Sequence, residues 1–191
     1  MTTSFFRLHS GGVVRNGLGV LFVGPSGSGK STLVLRLLRD GFSLVSDDEV
    51  WIDPKSLMVH PSGRPLFLKD SAWDFFPTLR DKFLASRHES RAWWLDPDDI
   101  RANCRAAPSP VWGIIFLEPR ETNPHSSSRP SLQELGQTEA LARLLRESMN
   151  FPDFRSVGVS LLIEMTKSAR LLKLNSGDLD DCGRMLTTLL P

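Results

Sequence analysis

Little in this chain ties it to an oxidising compartment, a membrane or a polyanion. Its 191 residues include only two cysteines, Cys104 and Cys182. Two are too few for a disulfide framework, and they lack metal-ligand spacing, so they read as buried or idle thiols. Lys and Arg number 23 against 22 Asp and Glu, a formal charge of +1, so nucleic acid is not an expected partner. No apolar run approaches the roughly 20 residues of a membrane span. The amino terminus shows no basic stretch followed by an apolar one. A cytoplasmic protein without a membrane partner is the expectation. No internal repeat occurs and no linker separates two compositions, so residues 1–191 are expected to form one domain.

What the chain does have is Gly24-Pro25-Ser26-Gly27-Ser28-Gly29-Lys30-Ser31-Thr32. This fits G-x-x-x-x-G-K-[ST], the phosphate loop, with Gly24, Gly29, Lys30 and Ser31 at the defining positions. The glycines let the backbone curl so that successive N–H groups point at phosphate oxygens. The free N–H groups and dipole of the following helix favour the same anion. Lys30 is placed to reach the β- and γ-phosphates, and the Ser31 hydroxyl to hold Mg²⁺. ATP and Mg²⁺ are therefore the expected ligands.

The flanks agree with the motif. Gly19 to Val23 is a short apolar run that reads as a buried strand. Leu33, Leu35, Leu37 and Leu38, with charges between them, read as a helix closed by Gly41. Before the loop, Ser4 to His9 and Gly12 to Arg15 read as strands, and Asn16-Gly17 is a strong hairpin signal. After it, strands are expected at 42–46, 50–52, 57–59 and 65–68, and at the apolar run 111–117, which is suited to a central position. Asp96-Pro97 resembles a helix start, with a short helix over 98–103. Residues 119–130 read as a loop, and helices are expected at 139–149, 157–165 and 178–190, with a strand at 169–174. In the first of these helices, Leu141, Leu144, Leu145 and Met149 are expected on one apolar face. The fold class is α/β, a mixed sheet with flanking helices.

Phosphoryl transfer needs a further metal ligand and a group that takes the acceptor's proton. Asp47-Asp48 stands at a strand end directly after the loop's helix. If that strand lies beside the strand leading into the loop, both carboxylates come near the γ-phosphate, one for Mg²⁺ and one as general base. Adjacent acids also repel, which raises the pKa of one of them. His9, on the incoming strand, is the third candidate.

In order and spacing, these segments resemble a known family. Leu8-His9-Ser-Gly-Gly-Val, the loop fifteen residues after His9, and Leu44-Val45-Ser46-Asp47-Asp48-Glu49-Val50, with Asp47 seventeen residues after Lys30, are similar to the catalytic domain of HPr kinase/phosphorylase and its stand-alone relatives. The resemblance implies a P-loop domain of the HPr kinase and phosphoenolpyruvate carboxykinase type. It implies ATP-dependent transfer of phosphate to a serine hydroxyl of a protein or peptide. It implies Asp47 as catalytic base, His9 as the histidine contacting that base and Asp48 as a metal-associated carboxylate. A tendency to homo-oligomers comes with the family. The family's Glu-x-Arg-Gly-x-Gly segment after the aspartates is absent. Alternative readings are a kinase of a small molecule such as free serine, and a nucleotide-binding regulatory module with little transfer activity.

Lys69, in a Leu-Lys-x-x-Ser segment, reads either as a site residue or as a surface lysine. Phe5-Phe6, Phe75-Phe76, Trp93-Trp94 and Trp112 read as core, with an acceptor groove as the alternative. Arg120 and Arg129 read as solvated loop residues, with an acceptor clamp as the alternative.

Overall fold

Asn16 and Gly17 take positive φ angles of 49° and 77°, as a two-residue hairpin turn requires. They join β1 (Phe6–Arg15) to β2 (Leu18–Val23), which pair antiparallel from Ser10↔Val23 to Arg15↔Leu18. The computed structural model describes residues 5–83, 92–118, 129–175 and 177–190. The two strands expected before the turn are one. β1 is ten residues long and changes partner along its outer edge. Its second half pairs with β3 (Ser43–Ser46) and its first half with β4 (Glu49–Ile52).

The phosphate-loop strand β2 continues into α1 (Lys30–Arg39). On its other side β2 lies parallel to β8 (Val111–Leu117), which lies parallel to β10 (Arg170–Asn175). β5 (Val59–His60) and β9 (Ser131–Glu134) close the two edges, giving the order β5-β4-β1-β2-β8-β10-β9. The fold is mixed α/β, a mixed sheet flanked by helices. Alternation along the strands builds two cores. Val20, Phe22, Ile115, Leu117, Leu172 and Leu174 face α1 and α6 (Leu179–Leu189). Leu21, Val23, Ile114 and Phe116 face α4 (Gln137–Arg146) and α5 (Phe151–Ser168). Period-two side-chain placement is what lets one sheet serve both layers.

Between β5 and β8 the chain builds a separate two-stranded ribbon, β6 (Leu66–Lys69) with β7 (Ala92–Leu95), followed by α3 (Pro97–Ile100). A 3-10 turn, Asp70–Phe75, leads from β6 into α2 (Pro77–Phe83), which Pro77 opens. Asp96 caps α3, accepting from the Asp98 N–H at 3.1 Å.

Three expectations need correction. β3 does not lie beside β2, because β1 folds back through the hairpin and takes that place; β3 pairs with the far edge of β1. The apolar face of α4 is Ala140 and Leu144 with Leu141 beside them, while Leu145 and Met149 are exposed and Met149 lies beyond the helix end. The helix expected at 157–165 is the regular part of α5, whose first turn is set apart by Arg155 at φ 46°. Most of the loop expected at 119–130 lies outside the described residues.

Candidate functional site

The glycine loop leaves the carboxyl end of β2 and turns into α1 through Gly27 and Gly29, at φ 84° and 96°. A side chain is strained at those angles, and glycine is not. The first intrahelical bond of α1 runs from the Leu33 N–H to the Gly29 carbonyl, 2.9 Å. Helix geometry therefore leaves the N–H groups of Lys30, Ser31 and Thr32 aimed out of the helix end. No side chain caps that end, and its first turn has no acidic residue. The Ser28 hydroxyl is buried inside the loop without a partner. Lys30 is buried, its Nζ donating to the carbonyls of Gly24 at 2.7 Å and Pro25 at 3.2 Å. Burial lowers its pKa. Uncapped donors, an orphan hydroxyl and a buried cation together fit a phosphate chain.

One cavity of about 570 Å³ brings most of the expected residues together. Ser26, Gly27, Gly29, Lys30, Ser31 and Thr32 form one side, and His9, Asp47 and Asp48 another. Gly24 and Pro25 border a second cavity of about 530 Å³, beyond the loop, which Glu147 also lines. The carboxylates reach the loop although β3 is one strand removed from β2. The Ser10 N–H holds the Asp48 carbonyl at 2.9 Å, which folds the end of β3 across β1 towards α1.

The two aspartates are not equivalent. Asp47 is 5% exposed. Its Oδ2 accepts the Phe67 N–H at 3.0 Å. Burial pushes its pKa up to about 6, the Phe67 N–H opposes that, and the charge of Asp48 adds to it. A hydrogen bond with the Ser31 side chain also holds the ionised form. Asp48 has a side chain 63% exposed, with Oδ1 3.4 Å from His9 Nε2. That contact holds its carboxyl below the usual range. The resemblance couples the histidine to Asp47; in this chain it meets Asp48. The physical reason lies in the bend that these two residues form between β3 and β4. The Phe67 N–H holds the Asp47 carboxylate against the ribbon beside Ser31, while the Ser10 N–H holds the Asp48 carbonyl on β1, which leaves the Asp48 side chain by His9.

Sequence reasoning missed Glu147. Its Oε2 lies 2.5 Å from His9 Nδ1, so the imidazole is held between two carboxylates. The Asp48 contact raises the histidine pKa, burial lowers it, and Glu147 raises it again. No local pattern marks Glu147 among the charges of α4. It also missed Glu49, buried in the same wall, which accepts from Arg64 at 2.9 Å, Trp51 at 2.8 Å and Arg7 at 3.4 Å.

The residues with two open readings divide. Lys69, Phe75 and Trp94 line the cavity. Phe6 and Phe76 are core, Trp112 packs against the core under Arg170, Phe5 stacks on Trp51 at 5.7 Å, and the Trp93 side chain lies outside what the structure describes. Arg129 is not among the cavity residues, and Arg120 lies outside the described ones. No group of three or more His, Cys, Asp or Glu side chains able to hold a metal occurs among the described residues. The donors beside the loop are the Ser31 hydroxyl and the carboxylates of Asp47 and Asp48, of which Asp47 is hydrogen-bonded to Ser31. This set suits a Mg²⁺ that keeps water and phosphate oxygens as its other ligands.

No protein-family model matches the chain, and no curated protein matches it in sequence. Among solved structures, the Hpr(Ser) kinase/phosphatase from Coxiella burnetii aligns over 96% of this chain and 96% of its own, with 14% identity and a TM-score of 0.45.

Proposed function

We propose that residues 1–191 form one ATP-dependent kinase domain of the HPr-kinase-like group, transferring the γ-phosphate of ATP to a serine hydroxyl of a protein or peptide. The observation that carries this reading is the meeting, in one cavity, of the glycine loop, Asp47 beside Ser31, and Asp48 backed by His9.

Bound ATP supplies the electrophilic phosphorus, and Mg²⁺ offsets charge on its phosphate oxygens. The N–H groups of 30–32 and the Ser28 hydroxyl bind the phosphates. Lys30 exchanges the Gly24 and Pro25 carbonyls for phosphate oxygens. Ser31 and Asp47 hold the metal. Asp48 takes the proton of the acceptor hydroxyl as its oxygen bonds to phosphorus and the bond to the ADP oxygen breaks. His9 orients Asp48 and keeps it ionised, and Glu147 fixes the imidazole. The resemblance alone gives the base role to Asp47. The raised pKa of Asp47 favours that role too, whereas the exposure of Asp48 supports the opposite assignment adopted here, since the acceptor must enter from the open side.

Exchanging each aspartate for asparagine separates the roles. Asp48→Asn should lower transfer at least a hundredfold and leave affinity for MgATP within about threefold. Asp47→Asn should instead remove the dependence of ATP affinity on Mg²⁺. The reverse pattern would return the base to Asp47. Full transfer in both variants would remove the kinase mechanism.

A further inference from the structure

One wall of the cavity is the β6–β7 ribbon. Its register sets Leu66 against Leu95, Phe67 against Trp94 and Lys69 against Ala92. Leu66, Leu68 and Leu95 are buried in the core beneath. Alternation therefore turns Phe67, Lys69 and Trp94 to the other face, and all three line the cavity. Phe67 and Trp94 meet edge to face with centroids 4.6 Å apart. Trp94 is 58% exposed and Phe75, from the 3-10 turn beside it, 41%. Large side chains so exposed at a cavity rim are an interaction feature.

The charge on this wall is equally uneven. Arg64 is paired with Glu49 at 2.9 Å. Lys69 is exposed and has no ion-pair partner among the described residues, and its charge adds to the burial that lowers the Lys30 pKa. The ribbon and the 3-10 turn beside it thus present two exposed aromatic side chains, Trp94 and Phe75, and the Lys69 ammonium to the cavity that Asp48 also lines.

We propose that the β6–β7 ribbon recognises the acceptor as a polypeptide segment carrying a bulky apolar side chain beside its serine and an acidic side chain within reach of Lys69. This rests on the kinase reading above and specifies its substrate class. The apolar side chain covers Trp94 and Phe75, and the acid pairs with Lys69. A pocket built for a small metabolite encloses most of its ligand. Here the aromatic surface is an open lip, which suits a chain lying across it and not a free amino acid. Charge complementarity sets the acidic preference.

The test uses the full chain with Mg²⁺ and a non-hydrolysable ATP analogue. Fluorescein-labelled heptapeptides are followed by anisotropy: one with phenylalanine beside serine and glutamate two positions on, one with glycine for the phenylalanine, and one with lysine for the glutamate. The first should bind about tenfold or more tightly than the others. Trp94→Ala should bring the phenylalanine and glycine peptides to equal affinity. Lys69→Ala should do the same for the glutamate and lysine peptides, with affinity for the ATP analogue unchanged in Trp94→Ala and within about threefold in Lys69→Ala, whose charge also reaches Lys30. Equal binding of all peptides, wild-type binding by Trp94→Ala, or loss of nucleotide affinity in Lys69→Ala would overturn the proposal, as would phosphorylation of free serine without peptide binding. Transfer is then measured separately with ATP. Selective peptide binding with no phosphoserine formed removes the kinase reading and leaves the ribbon as a peptide site. Transfer indifferent to peptide sequence does the opposite.

Discussion

His9 Nδ1 and the carboxylate of Glu147 lie 2.5 Å apart although 138 residues separate them. The backbone explains how they meet. β2 ends opposite Ser10, which leaves the first half of β1 with an open edge. The segment after α4 fills it: the His9 N–H donates to the Glu147 carbonyl at 2.8 Å and the Met149 N–H to the Arg7 carbonyl at 2.9 Å. The Asn150 side chain closes the seam, accepting from the Arg7 N–H at 2.8 Å and donating to the Phe5 carbonyl at 3.0 Å. Glu147 is thus fixed to His9 by main chain as well as side chain.

Glu147→Gln keeps every main-chain bond of that seam and removes one charge from the imidazole. A hydrogen bond to a charged group contributes about 1.5–3 kcal/mol. If His9 orients Asp48, part of that appears in the transition state. Turnover should fall roughly tenfold to a hundredfold by the same range, with the KM for ATP within about twofold. Combined with Asp48→Asn, the second substitution should add little, because both act through one imidazole. Additive losses in that cycle would show that Glu147 serves only the fold.

Asp47 gives a pH dependence whose sign is fixed. Its folded pKa of about 6 lies above the ordinary 3.8, so the folded state favours the protonated form. Its contribution to stability is fully present below pH 3.8 and is lost as pH rises through 6. Near pH 7.5 the buried charge costs on the order of 3 kcal/mol at 1.36 kcal/mol per unit. Asp47→Asn keeps an acceptor for the Phe67 N–H and removes the charge. The nucleotide-free variant should be more stable than wild type at pH 7.5, with the difference shrinking towards pH 5. The raised His9 pKa acts in the same direction, but it is common to both proteins and drops out of the comparison. Urea unfolding at the two pH values measures this. A variant no more stable at pH 7.5 would mean that Asp47 is not held against its charge.

Local chemistry made much of this fold legible. The Asn16-Gly17 turn, the uncapped start of α1, the apolar run of β8 and the caps at Asp96 and Asp178 each have a cause within a few residues. What was not legible depends on register and on distant partners. β9 is a short edge strand with mostly exposed side chains, so it carries no apolar alternation. Trp93-Trp94 suggested core, but Leu95 faces inward and the pleat turns Trp94 to the cavity. The pair Asp47-Asp48 was visible as chemistry, while the choice of which one meets His9 is made by distant partners of the bend they form, the Phe67 N–H on Asp47 and the Ser10 N–H on the Asp48 carbonyl. Glu147 has no sequence signal because its role exists only once α4 ends against β1.

Gly24 is held by space rather than by its φ angle. A Cβ there would sit 2.8 Å from the Leu117 carbonyl oxygen and 3.0 Å from Ser28 Oγ. Leu117 ends β8, so the loop and the central strand must part to admit a methyl group. Overpacking of this kind costs about 1–3 kcal/mol. Gly24→Ala should lose that much stability and at least tenfold in MgATP affinity by calorimetry. At Gly27, a Cβ meets nothing within 4 Å and only the left-handed φ opposes it. Gly27→Ala should therefore cost about 1 kcal/mol in stability. Equal losses from the two variants would mean that crowding at Leu117 does not control the loop.

Glu49 sets a final asymmetry. It is buried, and the cations it holds, Arg64 and Arg7, are about half exposed. Removing an arginine leaves the carboxylate with the other arginine and the Trp51 N–H at 2.8 Å. Removing the carboxylate leaves arginines that turn to water and strands only the indole N–H. Each single change should thus cost well under the 3–5 kcal/mol of breaking a fully buried pair. Arg64→Ala should lower stability by about 1 kcal/mol or less, and Glu49→Ala by about 1–3 kcal/mol. The double variant Arg7→Ala with Arg64→Ala is the exception, because a buried carboxylate then keeps a single neutral donor. Its loss should exceed the sum of the two single losses. A strictly additive result in urea unfolding would show that water already reaches Glu49 and that this wall of the cavity is open.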